Sequence, residues 1–469
     1  MRIKQSMPVL ALTSLIFTSA SMLGLSAYAG DEVEGAITPF ERVVTIPAVK
    51  NRNVVDPRAT YEKAQDVAFA IGNYVAAYDE SALLGSDVIQ GGNWVLGGFE
   101  GGATPGTPEF AEGVEEAILD IPTPWFIVPG DSTSGIKKVN LVEMCNRTFA
   151  SVALGVTPVV EGDDSTKIVN GVIHAPALPC EVSVYSDGPN IKVDMLNAEA
   201  IFTLFFTDVL FGEQMNVPGF AEAIVDLPTQ VKSEIQVIIM AALDHAGIEY
   251  EVEIETKGPV YETFDEIVDA VLASPEESPF VHFTYTKTNG TDFTSGEVGD
   301  VAQTIINTMT INGEDGAGDH SEQCGYMDGS CLDAHLSPDS KWRAARPTPL
   351  SMPGGNKVIE ACSPKYAKLA MSTGLHHATA LPCEIAVNRI DGGNTLLISF
   401  LDPHFMFTAL FSDAFKDMSE EELADFEELP TLVLGDLQTI VDYALDYDLV
   451  GFELYPPVKV EYEMLPHLQ

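Results

Sequence analysis

The sequence predicts an α+β protein of two tandem homologous modules, each a mainly antiparallel sheet with helices packed on one face. Three observations predict it. The segment His174-Ala175-Pro176-Ala177-Leu178-Pro179-Cys180-Glu181 recurs as His377-Ala378-Thr379-Ala380-Leu381-Pro382-Cys383-Glu384 with a single change. Matches on both sides of that segment keep their order and spacing for about a hundred residues in each half, the signature of an internal duplication. Runs that alternate apolar and polar residues flank Asp187-Gly188 and Asp391-Gly392, the pattern of a β-hairpin closed by a tight turn.

From the N-terminus, residues 1–29 read as a signal peptide. Arg2 and Lys4 form the positive end, Met7 to Leu25 is mostly apolar, and Ala27-Tyr28-Ala29 has the small residues of a cleavage site. The mature protein is therefore expected to be periplasmic or secreted. No later run is long and apolar enough to span a bilayer. The first module covers residues 30–258 and the second 259–469, the boundary being drawn at the interruption Lys257-Gly258-Pro259. The first module carries a glycine-rich stretch, Gly91 to Gly106, read as loop, and an acidic stretch, Thr157 to Gly171. The second carries a Cys-containing insertion, 312–353.

Within the second module, Tyr261 to Ala273 is read as helix and Phe280 to Lys287 as strand. Lys357 to Cys362 is a strand and Lys365 to Ser372 a short helix. Glu384 to Ile390 and Thr395 to Leu401 form the hairpin. Pro403 opens an apolar helix through Phe415. Ser419 to Glu422 has the bias of a helix start, Leu432 to Tyr447 continues as an amphipathic helix, and Val458 to Met464 closes the module as a strand. Tyr250 to Glu255 is the matching strand of the first module. The apolar helices Ile201 to Phe211 and Phe405 to Phe415 are read as core or as the contact between modules.

Charge narrows the function classes. With 70 acidic against 24 basic residues the formal net charge is −46, which excludes nucleic acid and anionic membrane surfaces as partners. A hydrophobic content of 46% argues for a folded protein wearing an acidic coat, suited to saline surroundings. Partners are then a small ligand or a protein, with a pseudo-dimer inside one chain and scope for further self-association.

Each half contributes two cysteines and a histidine at matching places: Cys145, His174, Cys180, and Cys362, His377, Cys383. In an exported protein a disulfide within each module is the leading reading, contributing roughly 3–4 kcal/mol. The alternative is a Cys-His-Cys metal site, with copper or zinc as the cofactor. In the insertion, His320, Cys324, Cys331 and His335 are a second set of disulfide or metal candidates. Asp315, Asp319 and Asp328 lie nearby without the ligand order of a calcium loop. His376 and His404 have no counterpart in the first half. Glu181 and Glu384 read as surface charges. No phosphate loop, nucleophile elbow or dinucleotide fingerprint stands in its required context.

The combination Cys362-Ser363-Pro364-Lys365, Leu381-Pro382-Cys383-Glu384 and Asp402-Pro403 resembles the bacterial family called domain of unknown function 302. The first half departs from it, with Arg147 after Cys145-Asn146 and Asn197-Ala198 in place of Asp402-Pro403. The resemblance implies a small α+β fold and modules that pair as dimers, with no established activity. The expected function is an exported, non-enzymatic binding or interaction protein with a duplicated His/Cys site. The rivals are a thiol-redox or metal-dependent periplasmic protein and a structural component of an extracellular assembly.

Overall fold

The computed structural model describes residues 37–47, 57–80, 94–99, 103–121, 139–155, 171–210, 215, 219–262, 266, 279–311, 336–337, 340, 342–372, 374–381, 383–390, 393–446 and 458–459. These residues form two sheets with helices. The first sheet contains β1 (Phe40–Ile46), β2 (Trp94–Leu96), β3 (Leu119–Ile121), β4 (Val139–Asn146), β5 (Glu181–Asp187), β6 (Asn190–Leu196) and β7 (Glu251–Lys257). Its order is β2-β4-β5-β6-β1-β7, with β3 beside β4. The second contains β8 (Phe280–Thr286), β9 (Thr310–Ile311), β10 (Arg343–Ala344), β11 (Leu350–Met352), β12 (Asn356–Cys362), β13 (Cys383–Ile390), β14 (Thr395–Leu401) and β15 (Val458–Lys459). Its order is β15-β8-β14-β13-β12-β10-β9, with β11 beside β12. Five strands thus repeat: β4-β5-β6-β1-β7 in one sheet and β12-β13-β14-β8-β15 in the other. All pairings are antiparallel except β9 with β10. The two expected hairpins are present as β5–β6 and β13–β14.

Helices form where the sequence supplies both an apolar stripe and an end signal. Helix α1 (Pro57–Glu80) packs across β2, β4 and β5. Helix α2 is Leu227–Ala246; it ends at Gly247, whose φ of 68° is left-handed and favours glycine. Helix α3 (Ser295–Thr308) opens on a capping box of Thr294 and Glu297 and buries Val298, Val301, Ala302, Ile305 and Ile306 at helical spacing. Helix α4 (Pro403–Phe411) is capped by the Asp402 side chain, which accepts from the His404 amide.

Three sequence expectations change. The last helix, α5, runs unbroken from Glu420 to Asp446 through Pro430, whereas the matching Leu227-Pro228 starts a new helix after Val225. Phe426, Leu429 and Val433 are buried on one stripe, and their packing offsets the cost of the internal proline. The glycine-rich stretch contains strand β2, with Trp94 opposite Asn146. Tyr261 makes a β-bridge to Ile37 instead of starting a helix. Of the rest of that expected helix, Glu262 and Glu266 are described, Glu266 as helical; residues 263–265 and 267–273, the acidic stretch 157–170 and most of the 312–353 insertion lie outside the described residues.

Helices cover one side of each sheet, as expected. The other side is covered by a piece of the opposite half. The 3-10 turn Gly171–Ala177 docks on β13 and β14, and the 3-10 turn Leu375–Ala380 docks on β5 and β6. Asn388 Nδ2 donates to the Val172 carbonyl at 3.0 Å and Ser399 Oγ to the Ile173 carbonyl at 3.4 Å. Phe280 of β8 meets the His174 ring at 5.1 Å, and Phe40 of β1 meets the His377 ring at 5.5 Å. This double cover is why every residue of β1 is buried rather than alternate ones.

Phe40 and Phe280 are both essentially inaccessible to solvent and sit where each half grips the other's turn. Phe40→Ala and Phe280→Ala are each expected to cost about 3–5 kcal/mol, measured by urea denaturation of the full chain.

Candidate functional site

The seam between the two sheets is polar, and it is buried. Strand pairing sets Glu143 of β4 directly opposite Glu181 of β5, and Glu360 of β12 directly opposite Glu384 of β13. Like charges facing each other across neighbouring strands destabilise a sheet, so each pair needs relief. It comes from Arg346 and from contacts across the seam. Arg346 donates to Glu360, to Glu143 Oε2 at 3.3 Å and to the Ala117 carbonyl at 2.8 Å, tying the second half to the first. The Glu181 and Glu384 carboxyls hydrogen-bond each other across the seam.

A carboxyl–carboxyl hydrogen bond needs a proton. Burial, reinforced by the surrounding glutamates, supplies the reason to keep one. Loss of hydration raises Glu143 well above the usual carboxylate range against the pull of Arg346. It raises Glu384 likewise, with Glu181 as the main charged neighbour, and pushes Glu181 up to about 7. Glu360 Oε1, Glu384 Oε2, Ser183 Oγ and Asn388 Oδ1 are buried without a hydrogen-bond partner. The seam is thus under-satisfied, and its polar atoms have capacity to bind.

Two glycines make the Arg346 bridge possible. A Cβ at Gly97 would lie 2.2 Å from Glu143 Oε2, and one at Gly98 would lie 2.1 Å from Arg346 Nη1. Gly98 also has a φ of 75°, where a side chain is strained. The backbone after β2 can approach the ion pair only because both side chains are missing.

Further along the seam, the halves differ. Arg42 of β1 donates to Asp194 Oδ1 at 2.9 Å and Oδ2 at 3.2 Å, and to Tyr185 Oη at 2.9 Å. The matching positions on the second sheet hold His282 and Ser399, paired across β8 and β14, and Asn388. There the charged network is replaced by the two hydrogen bonds to the 171–177 turn.

The histidines singled out from the sequence lie in the two docked turns. His174 is stacked on Phe206 at 4.5 Å, with Phe280 edge-on. His377 packs on Phe411 at 4.6 Å; its Nδ1 lies 3.2 Å from the Ala370 carbonyl and its Nε2 3.3 Å from Asp413 Oδ1. Burial pulls His377 below its ordinary range, against the Asp413 carboxylate. His404 serves its own helix: Nδ1 meets Asp402 and Nε2 meets Thr431.

Cys145 and Cys180 are joined in a disulfide. Its sulfurs have no thiolate to give a metal, and His174 is not assembled with them into a chelating set. Cys362 is buried at the end of β12, and Cys383 opens β13 opposite Ala361. The Cys383 side chain, and His320, Cys324, Cys331 and His335, lie outside the described part of the structure. The disulfide lines a cavity of about 20 Å³ with Trp94, Met144, Phe149, Phe202 and Val231. That admits about one water molecule, far below the size of a cofactor site. Beside it, Trp94 Nε1 donates to Glu234 Oε2 at 2.6 Å, and burial pushes Glu234 up to about 7.

Glu181 and Glu384, expected on the surface, are therefore the centre of the seam. Glu143, Glu360, Arg346 and Asp413 were not singled out from the sequence. A signal for the first two was present: a glutamate recurs in the middle of otherwise apolar strands in both halves. Nothing in the pattern marks Arg346, which comes from the irregular insertion.

Residues 349–429 match the family described as Domain of unknown function DUF302. The match contains Glu360, Glu384, His376, His377 and Asp413. No curated protein and no solved structure matches the chain.

The loop closed by Cys145–Cys180 spans 35 positions, for which the chain-entropy estimate is roughly 3–4 kcal/mol. Paired Cys145→Ala and Cys180→Ala are expected to lower the denaturation midpoint accordingly. Added reductant should lower the parent protein toward the same value and leave the variant's response smaller.

Proposed function

We propose that the chain is an exported, non-enzymatic binding or interaction protein, built from two copies of one DUF302-type module that form a dimer within a single chain. The residues proposed as modules are 30–258 and 259–469. The repeated strand order and the reciprocal docking of the two histidine-bearing turns support descent from one module. The leader-like N-terminus supports export. The working site is the seam, and the observation that carries this reading is the set of four buried glutamates, two of them bound by Arg346.

Such a seam is held together by bound protons. Glu143, Glu181 and Glu384 bind a proton more tightly in the folded chain than in the unfolded one, where glutamate titrates near 4.5. Between that value and the raised one, the folded state carries more protons, so stability falls as pH rises. The contribution is fully present below about 4.5 and is lost through about 7 for Glu181, and at higher pH for its two neighbours. The modules therefore grip each other most firmly in acid and loosen as the seam ionises, which suits a binding protein whose facing surfaces open to a cationic or hydrogen-bonding partner.

Denaturation midpoints of the full chain from pH 5 to pH 9 test this. The parent should lose stability steadily over the range, while Glu384→Gln and Glu181→Gln should flatten the loss and exceed the parent at pH 8. Equal pH profiles for parent and both variants would sink the reading.

A further inference from the structure

We propose that His376, His377 and Asp413 form a binding site for one divalent transition-metal ion of the zinc class. The three come from two neighbouring elements, the docked turn Leu375–Ala380 and the 3-10 turn Ser412–Asp417 that follows α4. One nitrogen or oxygen from each lies within 4.8 Å of the others. His377 Nε2 is 3.3 Å from Asp413 Oδ1 and His376 Nε2 is 3.6 Å from Asp413 Oδ2. Zinc bonds of about 2.0–2.1 Å in a tetrahedron put neighbouring ligand atoms about 3.4 Å apart. His377 Nε2 and Asp413 Oδ1 already stand close to that separation, and His376 Nε2 faces the other oxygen of the same carboxylate.

The hydrogen bonding selects the ligating tautomer. A carbonyl oxygen can only accept, so the 3.2 Å contact with Ala370 makes His377 Nδ1 the donor. In a neutral ring this leaves a lone pair on Nε2, aimed at a carboxylate oxygen that also carries lone pairs. His376 Nε2 is buried and has no hydrogen-bond partner. Two imidazole nitrogens thus converge on one carboxylate, and a cation bound among them would be held by all three residues. Backbone donation from Nδ1 is the outer support commonly found behind metal-bound histidine.

The surroundings fit the same assignment. Phe40, from the first half, packs edge-on to both imidazoles at 5.3 and 5.5 Å, and Phe411 closes the far side of His377. The Asp413 and His376 side chains keep 24% and 15% of their surface exposed, so the cluster lies near the surface although His376 Nε2 itself is covered. Gly374 makes room for the ring, since a Cβ there would lie 2.4 Å from His376 Cε1. Two nitrogens and an oxygen, with no thiolate, suit zinc and similar divalent ions over Cu(I). The site belongs to the second half, because Ile173 stands before His174 where His376 stands before His377.

The test is zinc titration of the full mature chain after chelator treatment, by calorimetry, with Co²⁺ absorption as a report of tetrahedral geometry. A saturable zinc equivalent should be lost, or weakened at least about 100-fold, in His376→Gln and in Asp413→Asn; removing even an outer-shell partner costs 10- to 100-fold. Gly374→Ala, which crowds the ring without removing a ligand, should weaken it less. His404→Gln, an imidazole outside the set, should leave it unchanged, as should Glu384→Gln in the seam. Circular dichroism confirms that each variant is folded. Absence of saturable binding overturns the site in favour of a histidine–aspartate ion pair. Binding that survives His376→Gln and Asp413→Asn, or that falls equally in Glu384→Gln, overturns it by moving the ion elsewhere.

Discussion

Each sheet in this protein is finished by the other half of the chain. The turn carrying His174 closes the second sheet and the turn carrying His377 closes the first, so neither half has a self-sufficient inner face. That constraint explains features that look unrelated. It buries whole strands rather than alternate residues. It brings two cross-strand glutamate pairs face to face, and it sets Phe40 and Phe280 against the imidazoles of the opposite half.

The contact made this way is not an apolar one. Helices cover the outer sides of the sheets with ordinary hydrophobic packing, through residues such as Ile235, Ile239, Val301 and Ile305. The inner sides carry glutamate, arginine, asparagine, serine and histidine. Burying such groups costs free energy unless they find partners. Here the partners lie across the seam: Arg346 for Glu143, Glu384 for Glu181, and backbone carbonyls of residues 172 and 173 for Asn388 and Ser399. An interface of this kind is specific in register, because sliding either sheet strands several charges at once.

The two halves have used one plan differently. In the first sheet Arg42, Asp194 and Tyr185 form a charged network. In the second the same places hold His282, Ser399 and Asn388, with Ser399 and Asn388 turned to hydrogen-bonding the opposite turn. His376 faces Ile173 in the comparison of the turns, and Pro430 lies inside a continuous helix where Pro228 starts one. The repeated strand order gives both halves a similar frame, and the match to the family lies in the second, at residues 349–429.

The hairpins and the antiparallel α+β class were legible in the sequence, because they rest on local periodicity, on Asp-Gly turns and on proline and capping residues. The likeness of the segments around His174 and His377 was legible too, and both lie in docked turns. The fate of Glu181 and Glu384 was not. An alternating strand reports that two faces differ but not what covers the second face, and these glutamates became buried only because another sheet arrived there. Arg346 and Asp413 likewise acquire their roles from chain segments far away in sequence, Arg346 by reaching Glu143 and Asp413 by meeting the docked turn. Local pattern determined the elements; long-range packing alone decided which charges lost their water, and with it the chemistry of the seam.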